Sequence, residues 1–304
     1  MKNDVSMISK LQKPEGPVDV VLDTDTYNEI DDQYALAYLI KNGDKLNLKA
    51  VYAAPFKNRT APTPAAGVEK SYQEIFNILS LAGRGDLKDI VYKGSASFLS
   101  NENTPVPSAA AEHLAALAME YTEERPLYVI AIAAITNVAS AILLNPEAAK
   151  RMVVVWLGGH SFEWPDNKEF NCYQDVSAVR VVMDSDAAVV LLPCMGVVSG
   201  FATTRYELEH WLKGKNALCD YLYEVTVKEV EDYHLGRCWS KPIWDVCSVA
   251  WLLDGEFMLD RLETAPIAEY DHRWAFDKTR KPIRYVYHIK RDQLMEDLFT
   301  KLAE

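Results

Sequence analysis

Val18-Asp-Val-Val-Leu-Asp-Thr-Asp-Thr-Tyr-Asn-Glu-Ile-Asp-Asp-Gln-Tyr-Ala-Leu-Ala-Tyr-Leu-Ile-Lys-Asn-Gly43 is the stretch that decides how this chain is read. Val18–Leu22 has the length and branched apolar content of a short buried strand. The segment from Asp32 onward spaces its apolar residues as a helix does, with Gly43 as its C-terminal stop. Between the two, Asp23, Asp25, Asp31 and Asp32 fall within ten positions. Like charges about 4 Å apart repel by roughly 4 kcal/mol at an effective dielectric near 20, so a fold that converges several carboxylates calls for a cation. The acidic loop lies at the carboxyl end of a strand, where open α/β sheets place their ligands. Hard oxygen donors favour Ca²⁺ or Mg²⁺ over zinc. The plainer reading of these aspartates is a helix cap and a solvated turn; Asp-Thr-Asp ending a strand with Asp-Asp opening a helix is more specific than that.

Beyond Gly43 the alternation continues. Strand patterns at Leu46–Ala54, Ile90–Tyr92, Leu127–Ala133 and Val153–Leu157 are separated by helical patterns at Lys70–Ala82, Ala109–Tyr121 and Asn137–Leu144. This is the βαβ signature of a mainly parallel sheet flanked by helices, an α/β fold. After Asp175 the chain becomes more helical, at Val176–Met183, Tyr206–Lys213, Ala217–Val230 and Ile243–Leu253, with strands at Ala188–Leu192 and Tyr285–Ile289. Pro55–Pro64 reads as a loop long enough to be functional. No Gly/Ser- or Pro-rich linker divides the 304 residues, and one domain over 1–304 is the expectation.

Composition narrows the function classes. The net charge of −12 argues against nucleic-acid and anionic-membrane partners, which need a basic surface. Met1–Gly16 is polar and carries no apolar core of signal-peptide length, and no run of about 18 apolar residues occurs elsewhere, so a cytoplasmic protein is expected. The 5 cysteines contain no Cys-x-x-Cys pair; buried structural thiols are expected rather than disulfides or a zinc site.

Four segments, in order, carry a family resemblance. Asp23-Thr-Asp25 with Asp31-Asp32 resembles the Asp-Thr-Asp-Pro-Gly-x-Asp-Asp opening of the inosine–uridine preferring nucleoside hydrolases, with Thr26–Ile30 making the loop two residues longer. Ile135-Thr136-Asn137-Val-Ala resembles Leu-Thr-Asn-x-Ala. Leu157-Gly-Gly159 with Glu169-Phe-Asn171 and Asp175 resembles Met-Gly-Gly…Glu-Phe-Asn…Asp-Pro-x-Ala. Trp244-Asp245-Val-Cys-Ser-Val-Ala250 resembles His-Asp-Pro-x-Ala-x-Ala. The resemblance implies a nucleoside hydrolase fold and hydrolysis of the N-glycosidic bond of a ribonucleoside or related riboside. It also implies a bound Ca²⁺, a role in purine or pyrimidine salvage, and a homo-oligomer, dimer or tetramer.

Carried over by position, Asp25 would ligate calcium and activate the attacking water. Asp32, Asp245 and the main-chain oxygen of Thr136 would complete the metal set. Asp31 would accept from the ribose 2′-hydroxyl, Glu169 and Asn171 would hold the 5′-hydroxyl, and Asp23 would order the loop from behind. The chemistry is coherent without the family: N-glycoside cleavage passes through an oxocarbenium-like sugar, which carboxylates stabilise while a metal-held water attacks.

The chain also departs from the pattern. Trp244 stands where members commonly carry the histidine that protonates the departing base, and tryptophan is no general acid at neutral pH. Aromatic stacking of the base, as in some members, is one role for Trp244; a core tryptophan at a helix start is the other. Tyr233 and Arg237, in a polar stretch before Trp239, are candidates to contact the base. Ala53-Ala-Pro55-Phe56 replaces an Ala-Gly-Asn turn that touches ribose, and Asn28 is a candidate to reach the same hydroxyl. These departures suggest a substrate other than plain inosine or uridine. Two other readings stand beside this one. A nucleoside- or ribose-binding protein without catalysis is motivated by Trp244. A haloacid-dehalogenase-type phosphatase, with Asp23 as nucleophile and Mg²⁺, is suggested by Val-Val-Leu-Asp23-Thr-Asp25-Thr, although Tyr27 stands where that motif has threonine.

Overall fold

The computed structural model describes the backbone of residues 2–234, 236–253 and 255–304 and the side chains of residues 6–232, 234, 236–253 and 255–304. The strands Val18–Thr24 (β1), Leu46–Ala53 (β2), Val91–Lys93 (β3), Leu127–Ala131 (β4), Met152–Leu157 (β5), Ala188–Leu192 (β6), Met258–Thr264 (β7) and Pro282–Ile289 (β8) form one sheet in the order β3-β2-β1-β4-β5-β6-β8-β7. All neighbours are parallel except the edge strand β7, which runs antiparallel to β8.

Side chains alternate across β1. Val20 and Leu22 pack into the core layer with the helices Asp31–Lys41, Val246–Ala250 and Arg291–Ala303, whereas Val21 faces the layer of Ala109–Leu117, Thr136–Leu144 and Val176–Asp184. Each such side chain withdrawn from water contributes about 1.5–3 kcal/mol, and with both faces covered the strands are apolar throughout rather than alternating.

The order of strands positions the site. From β1 the chain winds outward through β2 and β3, then returns to lay β4 on the other side of β1 and winds away through β5 and β6. The connections that leave the carboxyl ends of β1 and β4 therefore run to opposite faces of the sheet, which opens a crevice at the topological switch point. Its floor is pinned by main-chain bonds: Ile132 N–H donates to Asp23 O at 2.9 Å and Ala54 N–H to Thr24 O at 2.8 Å.

Some boundaries differ from the sequence expectations. The helix expected from Lys70 starts at Pro64, because Thr63 caps it by accepting from Ala66 N–H at 3.2 Å and proline suits the first turn. β7 and the helix Arg291–Ala303 are additional to the pattern read above. No helix among the described residues is long and apolar enough to cross a membrane.

Candidate active site

At the end of β1, Thr24 Oγ1 donates to Asp32 Oδ1 and lies 2.9 Å from Thr26 Oγ1, so two hydroxyls shape the start of the acidic loop. Asp25 follows, 1 % exposed, with Asn28 N–H donating to its carbonyl at 2.7 Å and its Oδ2 without a hydrogen-bond partner among the described residues. Asp31 and Asp32 occupy the first turn of the Asp31–Lys41 helix, where unpaired N–H groups and the helix dipole favour negative charge. Asp245 immediately precedes the Val246–Ala250 helix and makes no capping bond of its own.

One carboxylate oxygen each from Asp31, Asp32 and Asp245 lie within 4.8 Å of one another, all three side chains buried. Burial pushes Asp31 up to about 7, and holds Asp25, Asp32 and Asp245 well above the usual carboxylate range; neighbouring carboxylates add to the rise in each. Lys241, whose charge opposes that of Asp31, is ion-paired with Glu29 and with Glu229 at 3.3 Å. Converged hard oxygens and the orphaned Asp25 Oδ2 fit an oxygen-seeking divalent cation.

Asp23 sits behind this group, fully buried. Asn137 Nδ2 donates to its Oδ1 at 2.8 Å, and Asn137 Oδ1 accepts from Ser95 N–H at 2.8 Å. Burial raises Asp23 to about 7, opposed by the Asn137 bond. The arrangement needs Gly94, since a Cβ there would stand 2.4 Å from both Ala53 O and Asn137 Nδ2. Asp23 is not among the residues that line the pocket described below, so the structure does not present it as the nucleophile that the phosphatase reading requires.

β5 ends in Gly158-Gly159, and Gly159 takes φ +70°, a conformation in which its N–H donates to Glu169 Oε2 at 2.8 Å. Glu169 also accepts from Cys172 N–H and Asn171 N–H, both at 2.9 Å, yet burial still lifts it to about 7. Asn171 Nδ2 donates to Leu157 O at 3.0 Å and Ile132 O at 3.3 Å, tying the ends of β4 and β5 together.

Both walls border one pocket of about 590 Å³. Of the residues singled out from sequence, Asp25, Asn28, Asp31, Asp32, Glu169, Asn171, Trp244 and Asp245 line it. Asn28 is steadied by Asn58 of the Pro55–Pro64 segment, whose Nδ2 donates to Asn28 Oδ1 at 2.9 Å. Thr136 is not at the pocket: its hydroxyl donates to Asp175 Oδ2 at 2.7 Å at the start of a buried helix, and Ile132, at the end of β4, is the residue of that segment that lines the cavity. Arg237 is also outside, exposed on the turn after the Ala217–His234 helix, with its N–H donating to His234 O at 3.0 Å. The Tyr233 side chain lies outside the described residues.

The cavity also holds residues that sequence reasoning missed. Glu29 comes from the lengthened loop, and His160 follows the Gly-Gly turn, a strand-end position that could have flagged it. His160 Nδ1 accepts from Met195 N–H at 3.3 Å, and burial lowers its pKa. Trp244 Nε1 is buried without a hydrogen-bond partner among the described residues, and Lys241 Nζ stands 5.1 Å from the indole centroid. The pocket thus combines converged carboxylates that could hold a cation, further polar groups and an aromatic wall.

Known proteins resemble this chain in sequence and in fold. Residues 20–296 match the sequence profile of the family described as inosine-uridine preferring nucleoside hydrolase. The pyrimidine-specific ribonucleoside hydrolase RihA of Citrobacter koseri is 25 % identical over 240 residues, which is 70 % of this chain and 76 % of that protein. Among solved structures, the plant nucleoside hydrolase PpNRh1 superposes with a TM-score of 0.75 at 18 % identity, covering 94 % of this chain and 99 % of the other. The purine-preferring ribonucleoside hydrolase of Gardnerella vaginalis gives 0.75 at 17 % identity, covering 94 % and 98 %.

Proposed function

The chain belongs to the inosine-uridine preferring nucleoside hydrolase family, an α/β fold of N-glycosyl hydrolases, and from that premise we propose that it is a calcium-dependent N-ribohydrolase. It would cleave a ribonucleoside or related riboside into ribose and free base, a reaction suited to nucleoside salvage. The observation that carries this reading is the convergence of Asp25, Asp31, Asp32 and Asp245, four buried carboxylates from three chain segments, on one pocket.

Asp25, Asp32 and Asp245 are the proposed side-chain ligands, and the main-chain oxygen of Ile132, which is at the pocket, is assigned the part that the sequence resemblance gave to Thr136. Bound there, Ca²⁺ would supply Lewis acidity toward water and the sugar diol. Asp25 Oδ2, free of other bonds, accepts the proton of the attacking water. Asp31 accepts from the 2′-hydroxyl and Asn28 reaches the same face of the sugar. Glu169 and Asn171, locked by backbone bonds, address the 5′-hydroxyl. The carboxylates stabilise positive charge that develops on the ribose, and Trp244 gives the base a stacking surface. Arg237 is not placed in this chemistry because it is exposed away from the pocket.

p-Nitrophenyl β-D-riboside tests the proposal, because its leaving group needs no proton. Release of p-nitrophenolate that falls at least about 100-fold on chelation and returns with Ca²⁺ is expected. An intact substrate with Ca²⁺ present contradicts it. A riboside that binds with Ca²⁺ and stays whole would instead favour the binding-protein reading that Trp244 motivates.

A further inference from the structure

The pocket has a charge imbalance that bears on which base it accepts. Six carboxylates line it, those of Asp25, Glu29, Asp31, Asp32, Glu169 and Asp245. Lys168 is the one Lys or Arg side chain among the lining residues, and it is exposed. Lys241 Nζ stands over the Trp244 ring, 5.1 Å from its centroid, ion-paired with Glu29 and Glu229. Acidic side chains therefore outnumber basic ones among the described lining residues by six to one.

The aromatic wall supplies no proton. Trp244 has no ionisable hydrogen near neutral pH, and Glu29, the acidic residue that the lengthened loop brings in, is engaged as the acceptor of the Lys241 ammonium. His160 Nδ1 is occupied as the acceptor of Met195 N–H, in the turn whose Gly159 N–H binds Glu169. A neutral nucleoside that gains no proton from this wall would have to expel its base as an anion into a cavity lined by acidic side chains. A base that is already a quaternised cation leaves neutral.

We infer that this pocket is built for cationic N-ribosides, in which ribose is joined to a positively charged aromatic heterocycle such as a pyridinium. The inference rests on the ribohydrolase reading and names its substrate class. The step balances without a general acid: water oxygen forms the bond to C1′ as the N-glycosidic bond breaks, and the bonding pair returns to the ring nitrogen, cancelling its charge. The proton of the water goes to Asp25 and then to solvent. Before cleavage the cationic ring is held by the surrounding carboxylates and by the π-face of Trp244. Glu29, present because the loop is longer, is the residue that tunes this preference.

Nicotinamide riboside and uridine are the probes, both carrying a six-membered base on ribose. With Ca²⁺, kcat/KM for nicotinamide riboside should exceed that for uridine at least 100-fold. Because pyridinium ribosides are intrinsically labile, inhibition of p-nitrophenyl riboside hydrolysis supplies the second reading. There the inhibition constant of nicotinamide riboside should be at least tenfold below that of uridine. Glu29→Gln should shrink that binding ratio at least threefold. If p-nitrophenyl riboside is cleaved while uridine is bound and cleaved as well as nicotinamide riboside, the hydrolase reading survives and the cation preference is overturned. If neither p-nitrophenyl riboside nor nicotinamide riboside is cleaved, both fall.

Discussion

Asp25 combines near-complete burial with a carboxylate oxygen that has no hydrogen-bond partner among the described residues, which suits it to hold a cation and to take a proton. Asp25→Ala and Asp245→Ala should each lower calcium affinity and riboside hydrolysis together, by at least about 100-fold in rate, as read by calorimetric Ca²⁺ titration alongside kinetics. Undiminished activity in the Asp25 variant would contradict its role. Trp244→Ala should leave Ca²⁺ affinity intact and change the rate in a base-dependent way, visible when nucleosides are compared with p-nitrophenyl riboside. Behind the site, Asn137→Ala should cost about 1–3 kcal/mol of stability in urea denaturation, because it leaves a buried Asp23 oxygen without its donor. Most of these residues were legible because charged groups clustered at a strand end and a helix start have few structural uses. Thr136 was misplaced because a motif match fixes sequence spacing, not where a strand stops. β4 ends at Ala131, so the residue that reaches the pocket is Ile132, while Thr136 turns into a helix and bonds Asp175. Nothing in its own sequence context marks Ile132.

Individual elements hold the site through their ends. Asp175 caps the Val176–Asp184 helix by accepting from Ala178 N–H at 3.0 Å, and also accepts from Leu99 N–H at 2.9 Å and the Thr136 hydroxyl. Asp175→Ala should therefore cost more than an ordinary cap, about 2–3 kcal/mol in urea denaturation; a loss under about 0.5 kcal/mol would show that these bonds do not hold the loop. Strand and helix existence followed from periodicity, whereas the ends depended on caps. Thr63 and Pro64 start their helix six positions before the first residue of the apolar repeat that suggested it. The Arg291–Ala303 helix buries Leu294, Met295, Leu298, Phe299 and Leu302, a helical spacing that is open to view in the sequence. β7 carries no comparable signal: Leu259 and Leu262, three positions apart, are both exposed on an edge strand, so period-two alternation fails.

At the scale of the whole molecule, the parallel sheet was readable from the βα alternation, yet the strand order that opens the crevice between β1 and β4 is a tertiary choice. The same fold sets a pH dependence. Asp23, Asp31 and Glu169 are pushed up to about 7 by burial, and Asp25, Asp32 and Asp245 well above their usual range. For a carboxyl whose folded value is raised, the native state binds more protons than the unfolded chain above pH of about 4, so stability falls as pH rises through the folded value. The calcium-free protein should lose Tm between about pH 5 and pH 8. Added Ca²⁺ should raise Tm more at pH 8 than at pH 5, since binding must displace those protons. A metal-free Tm that climbs over that range, or a calcium effect independent of pH, would contradict this electrostatic account.

The most direct measurement is a crystal structure of the protein soaked with Ca²⁺ and ribose, with the ion located by anomalous scattering. The account predicts one calcium in contact with the carboxylates of Asp25, Asp32 and Asp245 and with two adjacent ribose hydroxyls, Asp31 touching the sugar beside it. Calcium bound elsewhere, or ribose held in the pocket with no ion among those carboxylates, would contradict it.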